Sequence, residues 1–238
     1  MIKNTITEIK KGQLGTGLLI ENDGYMSLST NDNLVIKESI ETSLRNGKEL
    51  PNPFIVSAVF QKCDIENANG RIYPEHILKR EVEKYQQLIR ERRSYGECNH
   101  PSDTTIDLSR VCMNVIELHW VGHTLVGKLE IPITEGFRKL GIVSTQADMI
   151  AQWLISGLKI GVSSRGIGTV TQQGNHVVVN EDFEIVCFDV VSTPSTPNAY
   201  IETDEQKLQP YIQETLKTKN QNTLNEDKYS KFDKWLKI

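Results

Sequence analysis

The segment Gly161-Val-Ser-Ser-Arg-Gly-Ile-Gly168 places two adjacent hydroxyls at the end of an apolar run, followed by an arginine and two glycines. Glycines permit sharp turns and close backbone approach, and leave amides free to face an anion. A serine here is a candidate nucleophile if a base lies within hydrogen-bond reach; otherwise the segment is a serine-rich hairpin with a surface arginine. It is neither a GxSxG elbow nor a P-loop. In Gly96-Glu-Cys-Asn-His-Pro101, the proline holds His100 in extended geometry, and an imidazole that titrates near neutrality is the natural base for a serine hydroxyl. A structural or simply exposed histidine is the alternative. In Phe183-Glu-Ile-Val-Cys-Phe-Asp-Val-Val191, strand alternation puts Phe183, Ile185, Cys187, Asp189 and Val191 on one face. A carboxylate among apolar neighbours needs a partner, because burying an unpaired charge is costly. An imidazole that becomes charged during turnover is one such partner and Arg165 or Arg110 are others, unless a bend exposes Asp189.

Other groupings carry less. Cys98 and His100 could form half of a metal site, completed by His119 and His123. The His119-x3-His123 pair, however, straddles a hairpin turn and does not lie on one helical face. The four cysteines, Cys63, Cys98, Cys112 and Cys187, are scattered without a CxxC pair, which reads as reduced thiols in an intracellular setting and not a disulfide framework.

Three zones must position these groups. Residues 1–50 form a polar N-terminal extension with short β-like runs such as Gly17-Leu-Leu-Ile20. Residues 51–202 carry the strong patterning, and 203–238 form a polar tail rich in Lys, Gln, Asn, Glu and Thr. Within the middle zone, Phe54–Phe60 is a strand. A helix runs from Pro74, at its first position, to about Arg93, with Ile77, Leu78, Val82, Tyr85, Leu88 and Ile89 on one face. Val111–Trp120 and Leu125–Ile131 form a hairpin turning near Gly122. Ser144 caps a second helix, Thr145–Ser156, closed by Gly157. Lys159–Ser163 and Gly168–Thr171 are strands flanking Arg165-Gly166, and His176–Val179 and Phe183–Val191 follow. Strands outnumber helices and few crossovers are helical, so the fold class is α+β with a β-rich core and packed helices.

The 238 residues suit one compact domain with appendages. No apolar run approaches the roughly 18–20 residues of a spanning helix, and the start lacks a secretory h-region. Twenty-seven basic against 31 acidic residues give a formal net charge of −4, which argues against an extended nucleic-acid footprint.

Taken together, four blocks resemble the prohead proteases of tailed bacteriophages, the capsid-maturation serine proteases of the myovirus type. They are Asn67-Ala-Asn-Gly-Arg-Ile-Tyr-Pro74, Gly96–Pro101, Gly161–Gly168, and Asp189-Val-Val-Ser-Thr-Pro-Ser195 with Pro197-Asn-Ala199. The resemblance covers roughly residues 54–202, and order and spacing together make it specific. It implies that His100 is the base and Ser163 the nucleophile. A distant relation to herpesvirus assemblins implies a barrel-like core and a third triad member on a strand after the nucleophile, the place of Asp189, 26 residues beyond Ser163. Strand alternation favours Ser163 independently: Gly161, Ser163 and Arg165 share one face, Val162 and Ser164 the other.

The implied function is a serine endopeptidase that cleaves capsid scaffold, major capsid protein and itself during prohead maturation. It would work inside the assembling prohead in the host cytoplasm, without cofactor, metal, nucleic acid or membrane, and a homodimer is compatible with it. Ser164, Arg165, Gly166, Thr193 and Ser195 would support an oxyanion pocket built on the amides of residues 192–196. The family tends to cut after a glutamate that Leu or Ile precedes by two residues. Ile212-Gln-Glu214 matches, making Glu214–Thr215 an autocleavage candidate in a tail that could instead dock on scaffold. The rival functions are a non-catalytic scaffold or core component, and a metal-dependent hydrolase using Cys98, His100, His119 and His123.

Overall fold

The computed structural model describes Ile9, residues 16–20 and residues 50–202. Most of the N-terminal zone lies outside the described residues, as does the whole tail, residues 203–238, with its Glu214–Thr215 bond. Among the described residues the fold is α+β and sheet-rich, with two five-stranded sheets and three helices.

The first sheet is antiparallel, in the order β10 (Ile201–Glu202), β2 (Phe54–Lys62), β6 (Thr124–Ile131), β5 (Val111–Val121), β4 (Tyr95–Glu97). β5 and β6 are the expected hairpin, turning at Gly122 with a φ of 61° that suits glycine. The second sheet is organised around β7 (Gly161–Gln173). β7 pairs with β1 (Thr16–Ile20) along residues 165–169, with β9 (Glu184–Val191) along 161–167 and with β8 (His176–Val179) along 170–173; β3 (Arg71–Ile72) adds to β8 in parallel.

β7 corrects one expectation. Arg165 and Gly166 lie in mid-strand and not between two strands, and Ser163, expected at a strand's end, is inside the same strand, because ladders continue through this backbone: Arg165 pairs with Ile20 on β1 and with Cys187 on β9. Gly166 is held by packing and offers no free amide cradle. A Cβ there would stand 2.4 Å from a Phe183 ring carbon and 2.7 Å from the Glu184 carbonyl oxygen.

The barrel-like core is a second correction. The sheets approach at two edges through single bridges, Cys98 to Val190 and Gly161 to Tyr200, but the ladders do not close. β4 and β10, three and two residues long, are too short to carry continuous pairing across those edges.

Helix α1 (Glu75–Arg90) buries Ile77, Leu78, Val82 and Tyr85, the face expected from their spacing. Pro74 precedes its first turn, and the Asp64 carboxylate accepts the Glu75 N–H at 3.0 Å. A short helix α2 (Glu135–Leu140) escaped the sequence reading because a six-residue segment holds too little periodicity. In α3 (Gln146–Ile155) the cap is Thr145 and not Ser144. Thr145 accepts the Asp148 N–H, Asp148 returns the bond to the Thr145 N–H, and the Ser144 hydroxyl instead donates to Asp148.

α1, α3 and both sheets share one core, in which Phe188 packs perpendicular to Phe60 and Tyr85 at centroid distances of 5.1 and 5.3 Å. Val162, Phe188 and Val190 belong to that core, so β7 and β9 spend one face on packing and turn Ser163, Arg165, Cys187 and Asp189 to the other. Gly96 lets β4 approach β9: an added methyl would lie 2.2 Å from the Phe188 carbonyl oxygen and 2.5 Å from Met113 Cε. Gly96→Ala should therefore lower stability by about 1–3 kcal/mol in urea unfolding. An unchanged midpoint would contradict this close approach.

Candidate active site

Three elements bring the site together. In the β7–β9 ladder Ser163 is the direct partner of Asp189, and Arg165 of Cys187, so these four side chains form one patch on one face. The register then shifts at Arg165/Gly166: Gly166 pairs with Ile185 and Val186 is left over. This bulge breaks the simple alternation expected back to Phe183, while keeping Cys187 and Asp189 in phase.

The third element is the chain leaving β4. Cys98 bridges β9 at Val190, and the Asn99 N–H donates to the Val190 carbonyl at 2.8 Å. Asn99 takes a φ of 66°, a left-handed conformation that asparagine tolerates better than most residues. The reversal folds the chain onto β9, where the imidazole of His100 meets Asp189. Its Nδ1 lies 2.7 Å from Asp189 Oδ2, and the two side chains are 1% and 0% exposed. His100 Nε2 is buried without a hydrogen-bond partner, so Ser163 Oγ is not bonded to it in this conformation. Ser163 itself is fully buried.

Asp189 is fully compensated. Oδ1 accepts the Glu97 N–H at 2.9 Å, Arg165 Nη2 at 3.3 Å and the Cys187 thiol at 3.3 Å; Oδ2 is 2.9 Å from Arg165 Nε besides His100. Both partners considered from sequence, the imidazole and Arg165, hold it, whereas Arg110 turns to Glu97 and to the Cys98 carbonyl. Arg165 is itself wholly buried. It reaches Glu97 Oε2 and donates to the Asp103 carbonyl at 2.6 Å and to Cys187 Sγ at 3.1 and 3.3 Å. Burial works against its charge, but Cys187, Asp189 and Glu97 together raise its pKa further. Burial and the Asp189 charge push the Cys187 thiol well up. A hydrogen bond from Cys112 lowers Cys98 to about 7 against the opposing effect of burial.

The remaining site candidates scatter. Arg165 organises Asp189 and Glu97 and not the 192–196 loop. Ser164 points into the core side, where its hydroxyl accepts Gln61 Nε2 at 3.0 Å and Gln61 Oε1 accepts the Thr196 hydroxyl. Thr193 is half-buried; Ser195 is buried, with its carbonyl accepting the Ala68 N–H at 3.0 Å. The loop does pass over the site's face of β7, since a Cβ on Gly161 would stand 2.5 Å from the Pro194 ring. The residues of the metal-hydrolase alternative are not gathered. Among the described residues His100 is engaged by Asp189, His119 by Glu117 and His123 by Cys63 and Asp64, and no metal-ligand group joins the four.

A family model described as prohead core protein serine protease matches residues 18–209. The chain belongs to that family. The prohead core protein protease of Enterobacteria phage T4 is 30% identical over 162 residues, which cover 66% of this chain and 72% of the relative. The solved bacteriophage T4 capsid assembly protease matches in fold, with a TM-score of 0.57 at 22% identity over 75% of this chain and 99% of that one. This prohead protease is thus a peptidase, as the resemblance implied, and a merely structural scaffold component is set aside.

Sequence reasoning passed over Glu97, though it stands inside the Gly96–Pro101 block. A charged residue in the three-residue β4, flanked by glycine and cysteine, was the available signal. Removing the cation that Glu97 and Asp189 share should be costly: Arg165→Met is expected to lose about 3–5 kcal/mol in chemical unfolding. A loss below about 1 kcal/mol would mean that the buried acids find their compensation elsewhere.

Proposed function

We propose that the protein is a serine endopeptidase in which Ser163 is the nucleophile, His100 the general base and Asp189 the residue that orients the imidazole. The observation that carries this reading is the buried His100. Its Nδ1–H is committed to a carboxylate and its Nε2 is left unpartnered in an enclosed site, while the adjacent strand sets Ser163 beside the same carboxylate. With Nδ1 carrying the proton, Nε2 holds the lone pair a base needs.

His100 Nε2 takes the Ser163 proton as Oγ attacks the peptide carbonyl, and returns it to the leaving amine. Water repeats the sequence to release the acyl group. The Asp189 carboxylate on Nδ1 is placed to stabilise the imidazolium formed during that transfer. Backbone amides of residues 192–196, crossing the same face of β7, are the donors for the oxyanion; Thr193 and Ser195 supply two of them, and Pro194 supplies none. Attack requires the chain covering Ser163 to move aside and the hydroxyl to close on Nε2, a tightening common on substrate binding.

Substrates of this reading are the scaffold and major capsid proteins of the prohead in which the enzyme is enclosed, and the chain itself. The names of its T4 relatives support that setting. The order of base, nucleophile and later acid on a strand supports a distant kinship with assemblin.

In purified protein with a scaffold substrate, Ser163→Ala and His100→Ala should each abolish cleavage above background, and Asp189→Asn should lower kcat by about 10³–10⁴-fold. Wild-type rates in Ser163→Ala or His100→Ala would end the assignment. Intact-mass measurement should also show active enzyme ending at Glu214 and Ser163→Ala retaining the fragment that begins at Thr215. Identical masses would rule out that cleavage site.

A further inference from the structure

A second cluster of reactive side chains gathers where β2 ends, α1 begins and the β5–β6 hairpin turns. Cys63 follows β2 and is wholly buried, Glu75 opens α1, and His123 occupies the turn; one donor atom from each lies within 4.8 Å of the others. Cys63 Sγ is 3.3 Å from His123 Nδ1, and Asp64 Oδ2 reaches the same nitrogen at 3.3 Å. The backbone beneath them is cross-braced: the Cys63 N–H donates to the His123 carbonyl at 2.9 Å, and the Glu75 N–H to Asp64 Oδ1 at 3.0 Å.

We propose that Cys63, Glu75 and His123, with Asp64 as fourth donor, bind a divalent transition metal of the zinc class. Zinc bonds of about 2.3 Å to sulfur and 2.0–2.1 Å to nitrogen or oxygen, at tetrahedral angles, separate the ligand atoms by about 3.3–3.6 Å. The sulfur–nitrogen and nitrogen–oxygen spacings here already have that length. The wider separations among Cys63, Glu75 and His123, up to 4.8 Å, close by rotation of the Glu75 side chain, whose ion-pair partner Lys79 is half-exposed; Asp64 stands outside that 4.8 Å group and turns its half-exposed carboxylate in from its contact with His123. One sulfur, one imidazole and two carboxylates suit zinc, and the sulfur and nitrogen exclude a site built for calcium or magnesium. Binding forms the metal–sulfur bond as the Cys63 thiol proton leaves to solvent. Four protein donors leave no open position, so the ion is a clip joining three segments and takes no part in peptide hydrolysis.

The test uses the full chain carrying Ser163→Ala, so that its result does not depend on whether the protein cleaves itself. Chelator-stripped protein dialysed against zinc should take up one equivalent by elemental analysis and melt at higher temperature than the stripped form. Cys63→Ser and His123→Gln should each weaken zinc binding at least about 10–100-fold, the loss typical of an outer-shell partner alone. Cobalt in place of zinc should give sulfur-to-metal charge-transfer absorption that Cys63→Ser abolishes. Failure to take up stoichiometric zinc, zinc held equally by the variants, or cobalt binding without the thiolate band would each overturn the proposal. Should Cys63→Ser not fold, the half-exposed His123→Gln decides it alone.

Discussion

A carboxylate removed from water must be met by donors, and Asp189 imposes that requirement on everything around it. It lies wholly buried between two strands, so its compensation comes from side chains and amides brought in from elsewhere. Arg165 comes from the next strand over, the Glu97 amide from the short β4, and His100 from the turn that follows β4. Arg165 in turn is fully buried and draws in Glu97. Each charge is tolerable because of the next, and the outcome is an imidazole held in one tautomer by contacts that also hold the two sheets together.

The supporting fold follows from that demand. β7 runs uninterrupted through its serines and arginine because β9 pairs with it along residues 161–167 and β1 joins from Arg165 onward, which leaves the Ser163 and Arg165 side chains with one place to point. The other face of the same strands is anchored by Val162, Phe188 and Val190 in the main core, so the patch cannot rotate without dismantling the packing of Phe60 and Tyr85 on Phe188. Gly96 and Asn99 are the two backbone concessions that let β4 close in and deliver His100: one has no side chain to clash, the other tolerates a left-handed turn.

Much of this was legible in the residues. Amphipathic spacing marked α1, β-branched runs marked β2 and the β5–β6 hairpin, and a carboxylate on an apolar strand announced that Asp189 would need a partner. Glu97 carried only a local signal, a charge between glycine and cysteine, because a three-residue strand is too short for periodicity to mark its buried face. The continuity of β7 was not legible, because glycines that read as turn formers serve here to admit the Phe183 ring. The register shift at Val186 depends on how β9 meets its neighbour, and a single strand's alternation cannot report it. Only tertiary contact brings His123 to Cys63 and away from Cys98, 60 residues from its partner along the chain.

The most direct measurement is covalent trapping with a fluorophosphonate, which reacts only with a serine activated by its surroundings. Tryptic mass spectrometry of the full chain should place the adduct on Ser163, and both His100→Ala and Asp189→Asn should suppress it under conditions where each variant remains folded. An adduct on another residue, or equal labelling of Ser163 once the imidazole is gone, would contradict a site in which Asp189 and His100 activate that hydroxyl.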